Sequence, residues 1–190
     1  MNWDSAWEKR IHEDGSIDCN TQKKDMIINE LWMRPHLIKA EKLEIGCGPC
    51  MHIRRLIDVC SEWGENYTGI DMSGVAVEAA RKAGVHVWVD SIYTTGKGFS
   101  SVYNAFFLFD VLEHLEDHKA AASSIKRLAK EQFTILINIP LYLSVGETFE
   151  RPVNIYDVQA FLAACGAKDF TQKIYGINGL PYMFVEGFRK

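Results

Sequence analysis

No apolar run in this 190-residue chain approaches the roughly 20 residues that a membrane span needs. The uncharged stretch Phe133 to Gly146 falls short of that and is interrupted by Asn138 and Pro140. No segment gathers lysine and arginine densely enough to hold a nucleic-acid backbone, and the net charge is −4. The opening Met1-Asn2-Trp3-Asp4 lacks the basic and then apolar layout of a signal peptide. Cysteine is sparse and odd in number, five in all, so reduced thiols and a cytoplasmic location are expected rather than a disulfide framework. Internal repeats and low-complexity runs are missing too. What remains is ordinary globular composition, 47% hydrophobic and 24% charged, in a length that supports one good core but hardly two.

Residues 1–190 therefore read as a single domain with two parts. Residues 1–40 hold Trp3, Trp7 and Ile11 at helical spacing, then a second stripe of Ile27, Ile28, Leu31 and Trp32 that ends before Pro35. They are expected to form a helical extension, with Trp3 and Trp7 in a lid. From residue 42 to 188 strands and helices alternate. Strands are expected at Lys42–Ile45, Tyr67–Asp71, Val85–Asp90, Val102–Phe109 and Phe133–Ile139. The intervening helices have caps at Ser73, Asp117 and Asn154 and stops at Gly84 and Gly166, with Ala122, Ile125, Leu128 and Ala129 on one inward face. Phe170–Ile174 and Tyr182–Phe188 break the alternation, joined by the turn Gly176-Ile177-Asn178-Gly179. The pattern predicts an α/β fold: a doubly wound, mostly parallel, seven-stranded sheet with a C-terminal antiparallel hairpin.

In such sheets ligands lie beyond the carboxyl ends of the strands, so the residues there matter most. The first strand ends in Glu44-Ile45-Gly46-Cys47-Gly48-Pro49-Cys50, where glycine lets the backbone turn and approach a ligand closely. The second ends in Asp71, whose carboxylate can accept from both hydroxyls of a ribose, followed by Met72, which can lie flat on an adenine. The third ends in Asp90-Ser91-Ile92, where a carboxylate could accept from the adenine amino group. The fourth ends in Phe109-Asp110-Val111-Leu112-Glu113-His114-Leu115.

Together these segments resemble the S-adenosylmethionine-dependent methyltransferases with a Rossmann-like fold. Glu44 to Gly48 looks like the family's first motif, Gly69-Ile70-Asp71-Met72-Ser73 its second, and Val89-Asp90-Ser91 its third. Asp110 to Leu115 looks like the segment after strand four in small-molecule methyltransferases. The resemblance implies S-adenosylmethionine as cofactor and S-adenosylhomocysteine as product. It also implies that Gly46, Cys47 and Gly48 pass the methionine part with Glu44 supporting their loop. Asp71 would hold the ribose, Met72 would stack on adenine, and Asp90 would reach its amino group with help from Ile92, with Ser91 also among the cofactor-binding residues. Phe109 and Asp110 would line the reaction centre. One position departs: the family's third glycine is Cys50 here.

Competing readings are weaker. Cys47-Gly48-Pro49-Cys50 is a CxxC pair, but a thioredoxin-like protein needs a later cis-proline loop, and no proline occurs between Pro49 and Pro140. A zinc site from Cys47, Cys50, His52 and Cys60 would crowd its ligands on one short helix, and no metal is expected. A nicotinamide enzyme would need glycine at Met51. A non-catalytic S-adenosylmethionine-binding regulatory or scaffold subunit is the principal alternative. The segment after strand four lacks the Pro-Pro-aromatic pattern of base methylation, so a small-molecule oxygen, carbon or nitrogen acceptor fits better, under a roof of the N-terminal helices and Leu141 to Arg151. Histidine is the side chain best suited to take a proton near neutral pH, which makes His114 a candidate base with Glu113 orienting it or the acceptor.

Overall fold

A central strand that is apolar on both faces can be buried only if helices cover the sheet on both sides. The structure, a computed structural model describing residues 2–12, 16–17, 20–96, 98, 100–141 and 153–190, has that arrangement. Strands β1 (Lys42–Ile45), β2 (Tyr67–Asp71), β3 (Val87–Val89), β4 (Tyr103–Phe109), β5 (Ala129–Pro140), β6 (Asp169–Ile177) and β7 (Leu180–Arg189) form one sheet in the order β3-β2-β1-β4-β5-β7-β6. The first five strands run parallel, and β7 lies antiparallel between β5 and β6. The doubly wound α/β sheet with its C-terminal hairpin is as the sequence predicts.

The helices are α1 (Trp3–Glu8), α2 (Thr21–Trp32), α3 (Met51–Val59), α4 (Gly74–Lys82), α5 (His118–Leu128) and α6 (Ile155–Cys165). In β4, Phe106 and Leu108 join the core under α5 and α6, while Phe107 and Phe109 join the core under α2, α3 and α4. This period of two is what assigns each strand residue to a layer. The predicted caps form: the Ser73 side chain accepts from the Ala76 N–H, Asp117 from Lys119 and Ala120, and Asn154 with Asp157 makes a capping box. No described helix is long and apolar enough to cross a membrane.

Several boundaries differ from the sequence reading. The third strand shrinks to Val87–Val89, because the Val85 N–H turns back to the Ala80 carbonyl at the end of α4. The fifth grows to Ala129–Pro140, so Ala129 pairs with Tyr103 in the sheet instead of ending the α5 face. Its polar start is held by Arg189, whose guanidinium donates to the carbonyls of Lys130 and Glu131. The hairpin turn tightens to Asn178-Gly179 with φ of +51° and +78°, the two left-handed residues of a type I′ turn. The first helix stops at Glu8, and Ile11 instead bridges Ile17.

The two N-terminal helices have separate roles. Helix α2 is core: Met26, Ile27, Ile28 and Leu31 are buried against the sheet and α3. It also carries Glu30, 2% exposed, which accepts from Tyr175, from Lys173 (2.9 Å) and from Arg34 (2.7 Å). Arg34 continues to Glu186 on β7 at 2.9 Å and lies 5.2 Å from the Phe184 ring centroid. Burial pushes the Glu30 carboxyl up, but the donors from Tyr175, Lys173 and Arg34 outweigh it and hold the group below the usual glutamate range. A carboxyl held low contributes stability at pH above its unfolded value, and that contribution is lost as pH falls through the folded value. Glu30→Gln is expected to cost about 3 kcal/mol at pH 7, within the range for breaking a buried ion pair. Thermal melts should show the variant less acid-dependent than the unmodified chain below about pH 4. Equal acid sensitivity of the two proteins would refute this account.

Candidate active site

Parallel register brings the strand ends to one edge. Ile45 pairs with Ile70, Asp71 with Val89 and Glu44 with Phe107, so the segments after β1 to β4 open on the same side of the sheet. The turn after β1 is built for close approach. Gly46 and Gly48 have φ of +64° and +52°; a Cβ on the first would stand 2.5 Å from a Val111 methyl, and on the second 2.7 Å from the Trp7 ring. Cys50 also takes the left-handed conformation, at φ +57°. Its side chain is fully buried beneath the turn, where the thiol lies 3.4 Å from the Tyr67 hydroxyl.

Under this turn lies a buried polar set. The Tyr67 hydroxyl donates to Glu44 Oε2 at 2.6 Å, which leaves the Cys50 S–H to donate to the Tyr67 oxygen. His52 Nε2 stands 2.9 Å from Glu44 Oε1, so that nitrogen carries the proton, and its ring meets Phe109 edge-on. Glu44, 1% exposed, thus braces the loop from below, with a partner in His52 that the sequence reading did not identify. The Cys50 thiol and burial push the Cys47 thiol well up, whereas reactive redox cysteines are held low.

Asp71 joins the turn to β2. Its Oδ2 accepts the Gly48 N–H and its Oδ1 the Ser73 N–H, both at 2.8 Å. Burial raises its carboxyl above the usual aspartate range, and the two N–H groups offset this in part. Each oxygen retains a further lone pair. Met72 beside it is exposed, Ile92 is buried, and Asp90 Oδ1 accepts from the Ser91 N–H (2.7 Å) and the Thr94 hydroxyl (2.8 Å). The chain thus arranges a buried carboxylate, an exposed thioether and a turn carboxylate in succession along the edge.

Beyond β4, Asp110 sits at φ +55°, its N–H donating to the Asn138 carbonyl at 2.9 Å and its Oδ1 accepting from Asn138 Nδ2 at 3.1 Å. Its other oxygen pairs with Lys23 of α2. Glu113 is buried, 4% exposed, and His114 is half-buried with its ring 5.2 Å from Trp3, edge to face.

Helix α1 spans these segments. The Asp4 carboxylate accepts from the Ser73 hydroxyl at 2.7 Å and from the Val75 N–H at 3.2 Å, and those donors hold it below the usual aspartate range. Trp7 lies on Gly48 and Trp3 on His114, so the two tryptophans singled out in the sequence lie over two different strand ends. Asp4, Lys23 and Asn138 were not singled out as site residues in the sequence, because each acts through a partner distant in the chain, and His52, weighed there only as a zinc ligand, meets Glu44 across the turn instead. The roof expected from Leu141 to Arg151, with Tyr142, Phe149 and Arg151, lies outside the described residues apart from Leu141.

The fold is shared with solved methyltransferase structures. A S-adenosylmethionine-dependent methyltransferase from Archaeoglobus fulgidus is 14% identical with a TM-score of 0.69, covering 86% of this chain and 94% of that one. Magnesium protoporphyrin IX methyltransferase from Synechocystis PCC 6803, with bound S-adenosylmethionine, is 16% identical with a TM-score of 0.70, covering 98% and 91%. A Thermotoga maritima methyltransferase described as a possible histamine N-methyltransferase is 14% identical with a TM-score of 0.65, covering 89% and 99%. No curated protein matches the sequence. The family model of the methyltransferase domain matches residues 43–137, from β1 into β5 and therefore across every strand end described above. The chain belongs to this family, the S-adenosylmethionine-dependent methyltransferases with a Rossmann-like fold.

Proposed function

We propose that this methyltransferase acts in the cytoplasm on a small-molecule acceptor rather than on nucleic acid or at a membrane, at the edge where β1 to β4 end. The observation that carries this reading is the placement of α1, whose Trp7 and Trp3 lie over the glycine turn and over His114. A roof over the strand ends would exclude water from the transfer and favour a compact acceptor. The acidic net charge supports the same choice. Two enzymes of similar fold have small acceptors: magnesium protoporphyrin IX in Synechocystis, and phosphomonomethylethanolamine bound to the Haemonchus contortus protein.

The residues present fit the cofactor. The left-handed turn of Gly46, Cys47 and Gly48 would carry the methionine portion, with Glu44 bracing it and Val111 and Trp7 packed close against the two glycines. Asp71, with lone pairs left beyond its two backbone donors, would hold the ribose hydroxyls, Met72 would stack on adenine, and Asp90, beside Ser91 and with help from Ile92, would reach its amino group. When bound, S-adenosylmethionine supplies an electrophilic sulfonium methyl. The chain's own part is to orient the acceptor at Phe109 and Asp110, so most of the rate comes from alignment. His114 removes a proton where the acceptor carries one, and Glu113 orients it. Residues 1–40 serve as lid in α1 and as core in α2.

Three outcomes are expected. Asp71→Ala should weaken S-adenosylmethionine binding by about 2 kcal/mol, roughly 30-fold, read by calorimetry; an unchanged affinity would sink the ribose assignment. His114→Ala should lower turnover by roughly 10²–10⁴ while cofactor affinity and melting temperature hold, whereas turnover at the native rate would remove His114 as base. Deleting residues 1–19 should leave a cooperatively melting protein with weaker cofactor binding. A chain that no longer folds would make α1 core instead of lid.

A further inference from the structure

Lys23 stands in the first turn of α2, where a cation opposes the helix macrodipole, so helix stability does not account for it. Its ammonium instead pairs with Asp110 and lies 5.4 Å from the centroid of the Tyr182 ring. A carboxylate beside an aromatic face is the set that recognises an ammonium ion. Both charged side chains keep about a quarter of their surface exposed, 25% for Lys23 and 27% for Asp110, so the pair is reached from solvent and is not in the core.

The surroundings of this pair are prepared more deeply than a surface ion pair requires. Asn138 at the end of β5 is fully buried. Its amide orientation is set by Asp110: Nδ2 donates to the carboxylate at 3.1 Å, which leaves Oδ1 as an acceptor. That oxygen is buried and has no hydrogen-bond partner among the described residues, a costly state unless a donor arrives. Asp110 is itself held at a left-handed φ by the Asn138 backbone and side chain together. An ammonium has three donors. The Lys23 ammonium meets the carboxylate and the ring face, and the Asn138 amide is joined to the other oxygen of the same carboxylate.

We infer that Asp110, Asn138 and Tyr182 form an ammonium-binding subsite for the methyl acceptor, a primary or secondary alkylamine, and that Lys23 occupies it as an internal stand-in until the acceptor displaces it. This rests on the proposed transfer site at the strand ends. The displacement needs only rotation of the four-carbon lysine stem, because α2 itself is fixed by its buried face and by Glu30.

The test titrates n-butylammonium, with n-butanol and butyrate as neutral and anionic shape analogues, into the unmodified chain, Lys23→Met and Lys23→Gln. Protein-observed NMR is the readout, with and without S-adenosylhomocysteine. Removing the stand-in should tighten n-butylammonium at least tenfold in either variant, with neither analogue competing, and a second substitution Asp110→Asn should abolish the gain. Equal affinity of variants and unmodified chain, or butyrate binding as well as n-butylammonium, would overturn the subsite. Calorimetry with S-adenosylhomocysteine on the same samples judges the cofactor site separately: its failure would strike the proposed function, while the titration without it still decides the amine.

Discussion

The carboxylate of Asp71 is the joint on which the site depends. It accepts one N–H from the glycine turn after β1 and one from the residue that caps α4, so two elements consecutive in the sheet are locked together at their ends. Burying a carboxylate is expensive, and its raised pKa records that cost; two short hydrogen bonds from backbone donors that would otherwise lack partners are what make it tolerable. The chain of contacts then runs outward. Ser73, held by Asp71 through its N–H, accepts from Ala76 and donates its hydroxyl to Asp4. Asp4 fixes α1, and α1 sets Trp7 on Gly48 and Trp3 on His114. The roof is therefore referenced to the floor through one carboxylate.

A second fixed point determines where Lys23 lies relative to the strand ends. Glu30 is surrounded by Arg34, Lys173 and Tyr175, and Arg34 reaches Glu186 in turn, so α2 is tied to the C-terminal hairpin by charge as well as by apolar contact. Buried ion pairs contribute little net stability compared with apolar packing, but they penalise any other register. A greasy face alone would let α2 slide along β7. The network pins it, and residue 23, two helical turns before residue 30 and hence on the same face, comes to lie over Tyr182 and Asp110.

The sheet and the groups that stand at its strand ends were legible in the sequence for a physical reason: they depend on local patterns. Strands apolar on both faces, the Ser73, Asp117 and Asn154 caps, and carboxylates directly after strands follow from short-range periodicity and backbone chemistry. The boundaries that moved are those where backbone hydrogen bonding overrode side-chain pattern. The carbonyl of Ala80 took the Val85 N–H from β3, and Arg189 supported a polar start to β5 ahead of the expected Phe133.

The sequence by itself determined the layer each apolar residue joins and the kind of group at each strand end, because both are set within a few residues of chain. It marked Trp3 and Trp7 as a pair without saying what they cover. Only the tertiary structure decided that α1 rests on the strand ends while α2 belongs to the core. It alone set His52 against Glu44, Asn138 against Asp110 and Lys23 against both Asp110 and Tyr182. These pairings join elements separated by up to 159 positions, counting from Lys23 to Tyr182. No local rule encodes them. They exist because seven strands in a particular order bring their carboxyl ends to one edge, and buried polar groups there must find their partners across it.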